Sequence, residues 1–398
     1  MTDNKPTKMS RANWTPLHAR LHRTLRSRHL LEKHQRLLVA VSGGQDSLCL
    51  VQLLLDLQPK WEWQLGIAHC DHRWRSDSQA NADFVARLAQ RWKVPFYCHT
   101  AEQPLLNEAA ARQWRYQALA AIAQTHNYPY IATGHTASDR AETLLYNLIR
   151  GSGADGLQAL TWQRPLHVGT QSYAPLLVRP LLEVTRTETA QFCQERQLQV
   201  WEDTTNLDLK YARNRIRQEL LPYIQTHFNS QVELTLAQTA ELLQAEVEYL
   251  ERAADELRQL AVDWEDKGIR GQGDKEAREQ RGTEAEGQRN NPKSKIQNLK
   301  FPDFRTPVCS TGDTPARNWL LPTPDSLIKI DRRILQTAHI ALQRRVMRQI
   351  LQQTLRCSPN FEQIEKLMAL IAAPNGTQTD PFPGGAIATV DKDWIWLK

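Results

Sequence analysis

The chain has 398 residues, 41% hydrophobic and 24% charged, which is enough for two or three domains with real cores. Its longest apolar run, 367–373, is far short of the roughly twenty residues a membrane helix needs, so no membrane span is expected. Six scattered cysteines without a C-x-x-C pair, with a net charge of only +6, argue against zinc ribbons, iron–sulfur centres and disulfide scaffolds and fit a reduced cytoplasmic protein.

Residues 1–36 form a basic N-terminal segment that includes a first helix, with nine Lys/Arg against two acids and no apolar stretch of the kind a secretory signal carries. From 37 to 182, short β-rich runs alternate with helical ones. Strands are expected at 37–41, 64–69, 96–99 and 130–133, with a weaker one at 176–178. Helices are expected at 47–57, 78–92, 107–125 and 139–150. This alternation implies βαβ units and a Rossmann-like α/β domain with a mostly parallel sheet, spanning 37–222. Such sheets bind ligands at the carboxyl ends of their strands, which puts the site just after residues 41, 69, 99 and 133.

After 222 the pattern changes. Leu236, Leu243, Leu250 and Leu257 recur every seven residues, and Ala240, Val247, Ala254 and Ala261 follow four behind, so 223–264 reads as one long heptad-patterned helix. Its remaining faces are acidic, which suits a spacer or packing element and is compatible with a homodimer. Residues 265–295 hold fifteen charged and three apolar residues, too few to bury a core, so 265–318 is expected to be a disordered insertion. A mainly α-helical C-terminal region follows at 319–398, with helices at 340–355 and 361–373 and a strand pair at 386–390 and 394–397. Residues 332–356 carry six Arg and no acid. Two separated basic segments on a near-neutral body point to a polyanion such as nucleic acid, with Arg344, Arg345 and Arg348 as candidate phosphate contacts. A solvated helix face is the plain alternative.

The most specific local signal is a buried strand running into Ser42-Gly43-Gly44-Gln45-Asp46-Ser47 and then a helix. The glycines clear space for backbone N–H groups and the helix N-terminus to face an anion, and Ser42 and Ser47 add hydroxyl donors. Asp46 is a misplaced charge in such a nest unless a divalent cation, Mg²⁺, lies between. No G-x-x-x-x-G-K-[ST] is present, and the literal G-x-G-x-x-G at 151–156 follows a helix, where a helix cap and turn explain it better.

Residues 42–47 resemble the pyrophosphate loop of the N-type ATP pyrophosphatases, which split ATP into AMP and pyrophosphate while adenylating a substrate. Further segments resemble one branch, the tRNA(Ile)-lysidine synthetases: AHCDH at 68–72, NEAAARQWRY at 107–116, IATGHTASDRAET at 131–143, RGSGADG at 150–156, 179–188 and 201–222. The match is looser at 342–348 and 383–385. Arg73-Trp74 replaces the family's Gly-Leu, and Ser138 replaces the first of its paired acids. The resemblance implies a cytoplasmic carbon–nitrogen ligase using ATP and Mg²⁺. It would adenylate O2 of the first anticodon cytidine (position 34) of a CAU-anticodon tRNA(Ile), and the ε-amine of free L-lysine would then displace AMP at C2. The product, lysidine, would redirect reading from AUG to AUA.

On that resemblance, Ser42, Gly43, Gly44, Gln45, Asp46, Ser47 and His135 would bind ATP, and Asp46 would hold Mg²⁺. Asp139 and Glu142, three apart on one helix face, would position lysine, with Asp139 also near the metal. Arg112 would neutralise phosphate charge during adenylation, and Arg213 would meet the α-phosphate or the tRNA backbone. An acid-rich helix start and ordinary surface arginines are the plain readings of these residues. The His69-x-x-His72 pair is not expected to be a metal site, because an extended strand end splays the side chains. Two other functions stay open: an ATP-dependent tRNA thiolase, disfavoured by the unpaired cysteines, and a non-catalytic RNA-binding relative.

Overall fold

The computed structural model describes residues 14–73, 77–103, 107–166, 174–201, 208–265, 327–355 and 358–398. The expected insertion lies outside the described residues except for Glu265, as do Trp74 and residues 1–13 of the basic segment. The chain divides into two compact units, 1–247 and 248–398.

The first unit opens with α1 (Pro16–Ser27) and then builds a six-stranded sheet. Its strands are β1 (Arg36–Ala40), β2 (Gln64–Asp71), β3 (Phe96–Thr100), β4 (Tyr130–Thr133), β5 (Gln163–Pro165) and β6 (Leu176–Val178), in the order β3-β2-β1-β4-β6-β5. All pairings are parallel except that of the edge strand β5, which the sequence did not reveal. Leu37, Leu38 and Val39 of β1 are buried on both faces, as a central parallel strand requires. Each such side chain contributes roughly 1.5–3 kcal/mol on burial. Helices α2 (Gln45–Trp61), α3 (Ser78–Trp92), α4 (Glu108–Thr125) and α5 (Ala137–Ile149) connect the strands, each close to its expected position. Beyond the short α6 (Ala154–Leu157) comes α7 (Arg186–Glu195), for which no helix was expected.

Strand order reverses at β1: β2 lies on one side and β4 on the other. That switch point opens a crevice above the carboxyl ends of β1 and β4, where a ligand site belongs. Helix α5 starts with a capping box, Thr136 with Asp139, and α7 with another, Thr185 with Glu188. The two caps fix how the second and third walls of the crevice begin. A fourth wall comes from α8 (Ala212–Arg215), a π-helical turn (Ile216–Leu220) and α9 (Leu221–His227).

Helix α10 (Val232–Ala261) then begins. In the first unit its Ala237, Ala240 and Val247 are buried. Two of the acids on its remaining faces take part in the packing. Glu241 accepts from Arg28, from the buried Arg140 and from the Trp162 indole, and Glu233 accepts from Ser138.

In the second unit the helix ends at Ala261, close to the long helix expected within 223–264, and strand β7 (Val262–Glu265) follows. Strands β7, β8 (Leu327–Asp331), β10 (Trp394–Leu397) and β9 (Ala388–Asp391) form an antiparallel sheet in that order. Ile328, Ile330, Val390, Ile395 and Leu397 turn one face to the core. Against it pack α11 (Arg332–Gln336), α12 (Ile340–Leu355), α13 (Phe361–Met368) and a 3₁₀ turn (Ala369–Ile371). The expected strand pair is present, but as half of a larger sheet. Among the described residues no helix is long and apolar enough to cross a membrane.

Candidate active site

The loop after β1 is shaped as its composition demands. Gly43 has φ +90°, and an added Cβ would lie 2.5 Å from Asn81 Oδ1, so any side chain there is strained twice over. Gly134, at the end of β4, comes so close to the loop that a Cβ would meet the Asp46 carbonyl at 2.8 Å and the Ser47 nitrogen at 2.9 Å. Ser47 Oγ donates to the Gly44 carbonyl at 2.8 Å and lies 3.3 Å from Ser42 Oγ. The Trp201 and Asn81 nitrogens tie down the Gly43 and Ser42 carbonyls. Within the loop the Ser42 and Gly44 N–H groups donate to Ser47 Oγ and Ser42 Oγ.

A cavity of about 840 Å³ spreads from this loop. Small-molecule sites run from roughly 300 to 1,000 Å³. Ser42, Gly44, Gln45, Asp46, Ser47, the strand-end residues His69–His72, His135, Asp139, Arg186 and Trp201 all line it. Among the described residues, 101–103 directly after β3 do not line it. The Gln45 side chain turns into the protein, donating to the Arg186 carbonyl at 2.9 Å and Thr189 Oγ1 at 3.1 Å, so only its backbone faces a ligand. A second, smaller cavity of about 140 Å³ is lined by Arg112, Arg115, His135, Asp139, Glu142, Arg213 and Arg217. His135, Asp139, Arg115 and Arg217 border both cavities.

The wall between the cavities is an ion cluster. Arg186, the first residue of α7, donates from Nε to Asp46 (3.2 Å), from Nη2 to Asp139 (2.8 Å) and from Nη1 to Glu142 (2.9 Å). Arg217, carried on the π-helical turn, donates to both oxygens of Glu142 at 2.7 and 2.8 Å. π-helical turns recur at functional sites, where they re-aim a side chain. Asp139 also accepts from the Thr136 backbone and hydroxyl, both at 2.8 Å. Burial works against the Asp139 carboxylate, but the Arg186 charge and the Thr136 donors outweigh it and hold its pKa below the usual range. Asp46 goes the other way: burial raises it, and Arg186 only partly compensates.

The cations are perturbed too. Burial, aided by the charges of Arg213, Arg115 and Arg164, lowers the Arg112 pKa against the pull of Tyr116. Burial, with Arg179 next, drives His135 down to about 3, so its imidazole is neutral, with Nδ1 2.8 Å from Thr133 Oγ1. Its ordinary value is 6.5, so the unfolded chain takes up a proton that the native site refuses. Stability from this group is complete above pH 6.5 and is lost as pH falls toward 3. His135→Gln is expected to flatten the fall in Tm between about pH 6.5 and 4, as measured by calorimetry.

Asp46, Arg112, His135, Asp139, Glu142 and Arg213 are thus brought to one place. Arg186, Arg217 and Arg115 complete it and were not singled out from sequence, although all three lie inside segments that carry the family resemblance. Ser138, the departure from the paired acid, accepts from the Arg186 backbone N–H at 3.0 Å and donates to Glu233 at 2.5 Å. A hydroxyl there can serve both elements, where a carboxylate would face Glu233.

The C-terminal arginines are placed differently. Arg345 and Arg348 both donate to Glu251 of α10, and Arg344 donates to Glu365 at 2.6 Å. The sequence view of an acid-free helix face is corrected by acids from other helices. Arg345 is nearly buried, whereas Arg344 is 41% exposed. Arg345→Ala is expected to lower Tm by leaving Glu251 under-paired, whereas Arg344→Ala is expected to leave Tm nearly unchanged. Thermal melts of the two variants check this.

Comparison with known proteins places these features in one family. The PP-loop domain model matches residues 15–224, and the TilS substrate binding domain model matches 331–393. A tRNA(Ile)-lysidine synthase from Nostoc sp. is 60% identical, covering 97% of this chain and 97% of its own length. Those of Synechocystis sp. and Synechococcus sp. are 45% and 44% identical, over 96% and 98% of this chain and 97% and 99% of theirs. With the loop at the switch point, both domain models in order and full-length identity of this degree, the chain belongs to the tRNA(Ile)-lysidine synthase family.

Proposed function

We propose that the chain uses ATP to join free L-lysine to C2 of the wobble cytidine of a CAU-anticodon tRNA(Ile). The observation that carries the division of labour is the pair of cavities sharing the wall of His135, Arg115, Asp139 and Arg217. In this reading the larger cavity takes ATP. Two buried polar atoms on its walls, Trp201 Nε1 and Asn81 Oδ1, lack a hydrogen-bond partner among the described residues, which suits a polar ligand. The triphosphate lies along the N–H edge of 42–47 and the start of α2.

Asp46 suits Mg²⁺, because that ion commonly uses one or two carboxylates and completes its shell with phosphate and water. No group of three or more His, Cys, Asp or Glu side chains suited to a metal occurs among the described residues, consistent with a cation that arrives with the nucleotide. Bound there, it would neutralise phosphate charge. Attack of cytidine O2 on the α-phosphorus expels pyrophosphate, and Arg112 and Arg213, which line the smaller cavity, offset the charge on the phosphorus oxygens from across the shared wall. Asp139 and Glu142 hold the lysine. Its ε-amine, having lost a proton, attacks C2, and AMP leaves with O2.

A thiolase fits less well. Cys70 is a cysteine lining the larger cavity, and burial pushes its thiol up to about 12, away from the thiolate that sulfur chemistry needs. The other described cysteines are also free and unpaired. The test is ATP–pyrophosphate exchange with a CAU transcript and with the same transcript carrying U in place of the wobble C. Exchange with the first and none with the second supports the reading; equal exchange with both counts against it.

A further inference from the structure

Arg186 does something the reaction scheme leaves unexplained. One guanidinium is divided among three carboxylates that belong to two different ligands: Asp46 on the nucleotide side, and Asp139 with Glu142 on the lysine side. Its backbone is pinned, since its N–H donates to Ser138 and its carbonyl accepts from Gln45 and Thr189. Only the side chain can respond. Three carboxylates here face two guanidiniums, Arg186 and Arg217, so Arg186 supplies half the cluster's positive charge.

Arg186 lines the larger cavity together with the 42–47 loop, whereas Glu142 lines the smaller one. A triphosphate on the loop brings several negative charges to the side of the guanidinium opposite the lysine pair. Any cation engaging Asp46 also removes one of the three bonds that hold Arg186 in place. The triphosphate draws the side chain toward the nucleotide and so uncovers negative charge on Asp139 and Glu142, while loss of the Asp46 bond only loosens its hold.

We propose that Arg186 couples the two substrate sites: it covers the lysine-holding acids until ATP draws it away, so that lysine binds tightly only after nucleotide. This rests on the reading of Asp139 and Glu142 as the lysine pair. Arg186 is then a positioning residue whose effect is a coupling between ligands, and the coupling must be reciprocal. Lysine binding before ATP would be wasted on a site without an adenylate to attack, and this arrangement suppresses it.

The experiment is calorimetric titration of L-lysine into the full chain, with and without the α,β-methylene analogue of ATP plus Mg²⁺. The wild type is expected to bind lysine about tenfold more tightly with the analogue present, within the usual span of coupling free energies. In Arg186→Gln the acids have lost one of their two guanidiniums from the start and keep only Arg217, so lysine affinity without nucleotide should rise and the analogue should change it less than about twofold. Arg186→Lys keeps the charge but cannot reach three carboxylates; its coupling should fall below about threefold, and it decides the matter if the Gln variant does not fold. Full coupling retained in either folded variant overturns the proposal, as does a wild type whose lysine affinity ignores the nucleotide. If the wild type binds no lysine under any condition, the lysine reading of the site fails and the coupling falls with it.

Discussion

Asp46→Asn is expected to lower ATP–pyrophosphate exchange by about a hundredfold to a thousandfold, the usual loss when a charge-stabilising group is removed from a phosphate site. The same substitution should leave Tm unchanged or slightly higher. Burial raises the Asp46 pKa, so the folded protein tolerates its charge poorly, and at neutral pH a neutral isostere relieves that cost. Its partners are not orphaned: Arg186 keeps Asp139 and Glu142, and Thr189 can donate to an amide oxygen. Loss of exchange with an intact melt therefore separates chemistry from structure. Exchange kinetics and calorimetry on one preparation decide it, and a variant that melts early while exchanging normally would reverse the assignment.

Glu142→Gln should behave in the opposite way. The Glu142 side chain is 4% exposed and accepts from two guanidiniums, Arg186 and Arg217. Breaking a buried pair from one side costs on the order of 3–5 kcal/mol, because the remaining charge stays buried. Gln keeps the shape but presents an amide nitrogen to a guanidinium donor, so Tm should fall by several degrees. The KM for lysine should rise about tenfold or more and the KM for ATP should change by less than about threefold. Equal increases in both would remove the distinction between a nucleotide wall and a lysine wall.

What could be read in advance follows the range of the interactions involved. The strands of the first sheet announce themselves because parallel strands buried on both faces are continuous apolar runs, and β1 is the clearest. The 42–47 loop is legible because its chemistry is local: two glycines, two hydroxyls and one acid within six residues. Arg186 is not legible in that way. Its three carboxylate partners lie 140, 47 and 44 residues away, and nothing near residue 186 announces them. Arg345 shows the same gap from the other side. An acid-free stretch of α12 looks like an RNA-facing surface until Glu251, 94 residues earlier, is folded onto it. Strands β7 and β8 were missed because each is four or five residues long and their pairing spans more than sixty residues of sequence. The heptad stripe correctly marks the buried face of α10, while the partners with which its acids close ion pairs within each unit lie too far along the chain to be read from it.

The central claim is that this chain attaches lysine to a cytidine at the expense of ATP. The most direct measurement incubates it with ATP, Mg²⁺, isotopically labelled L-lysine and a tRNA(Ile) transcript with a CAU anticodon, then digests the RNA and weighs its nucleosides. A cytidine heavier by one labelled lysine less one water, found only when ATP is present, is the expected result. Consumption of ATP with unmodified cytidine, or a sulfur-bearing nucleoside when a sulfur donor replaces lysine, would contradict it.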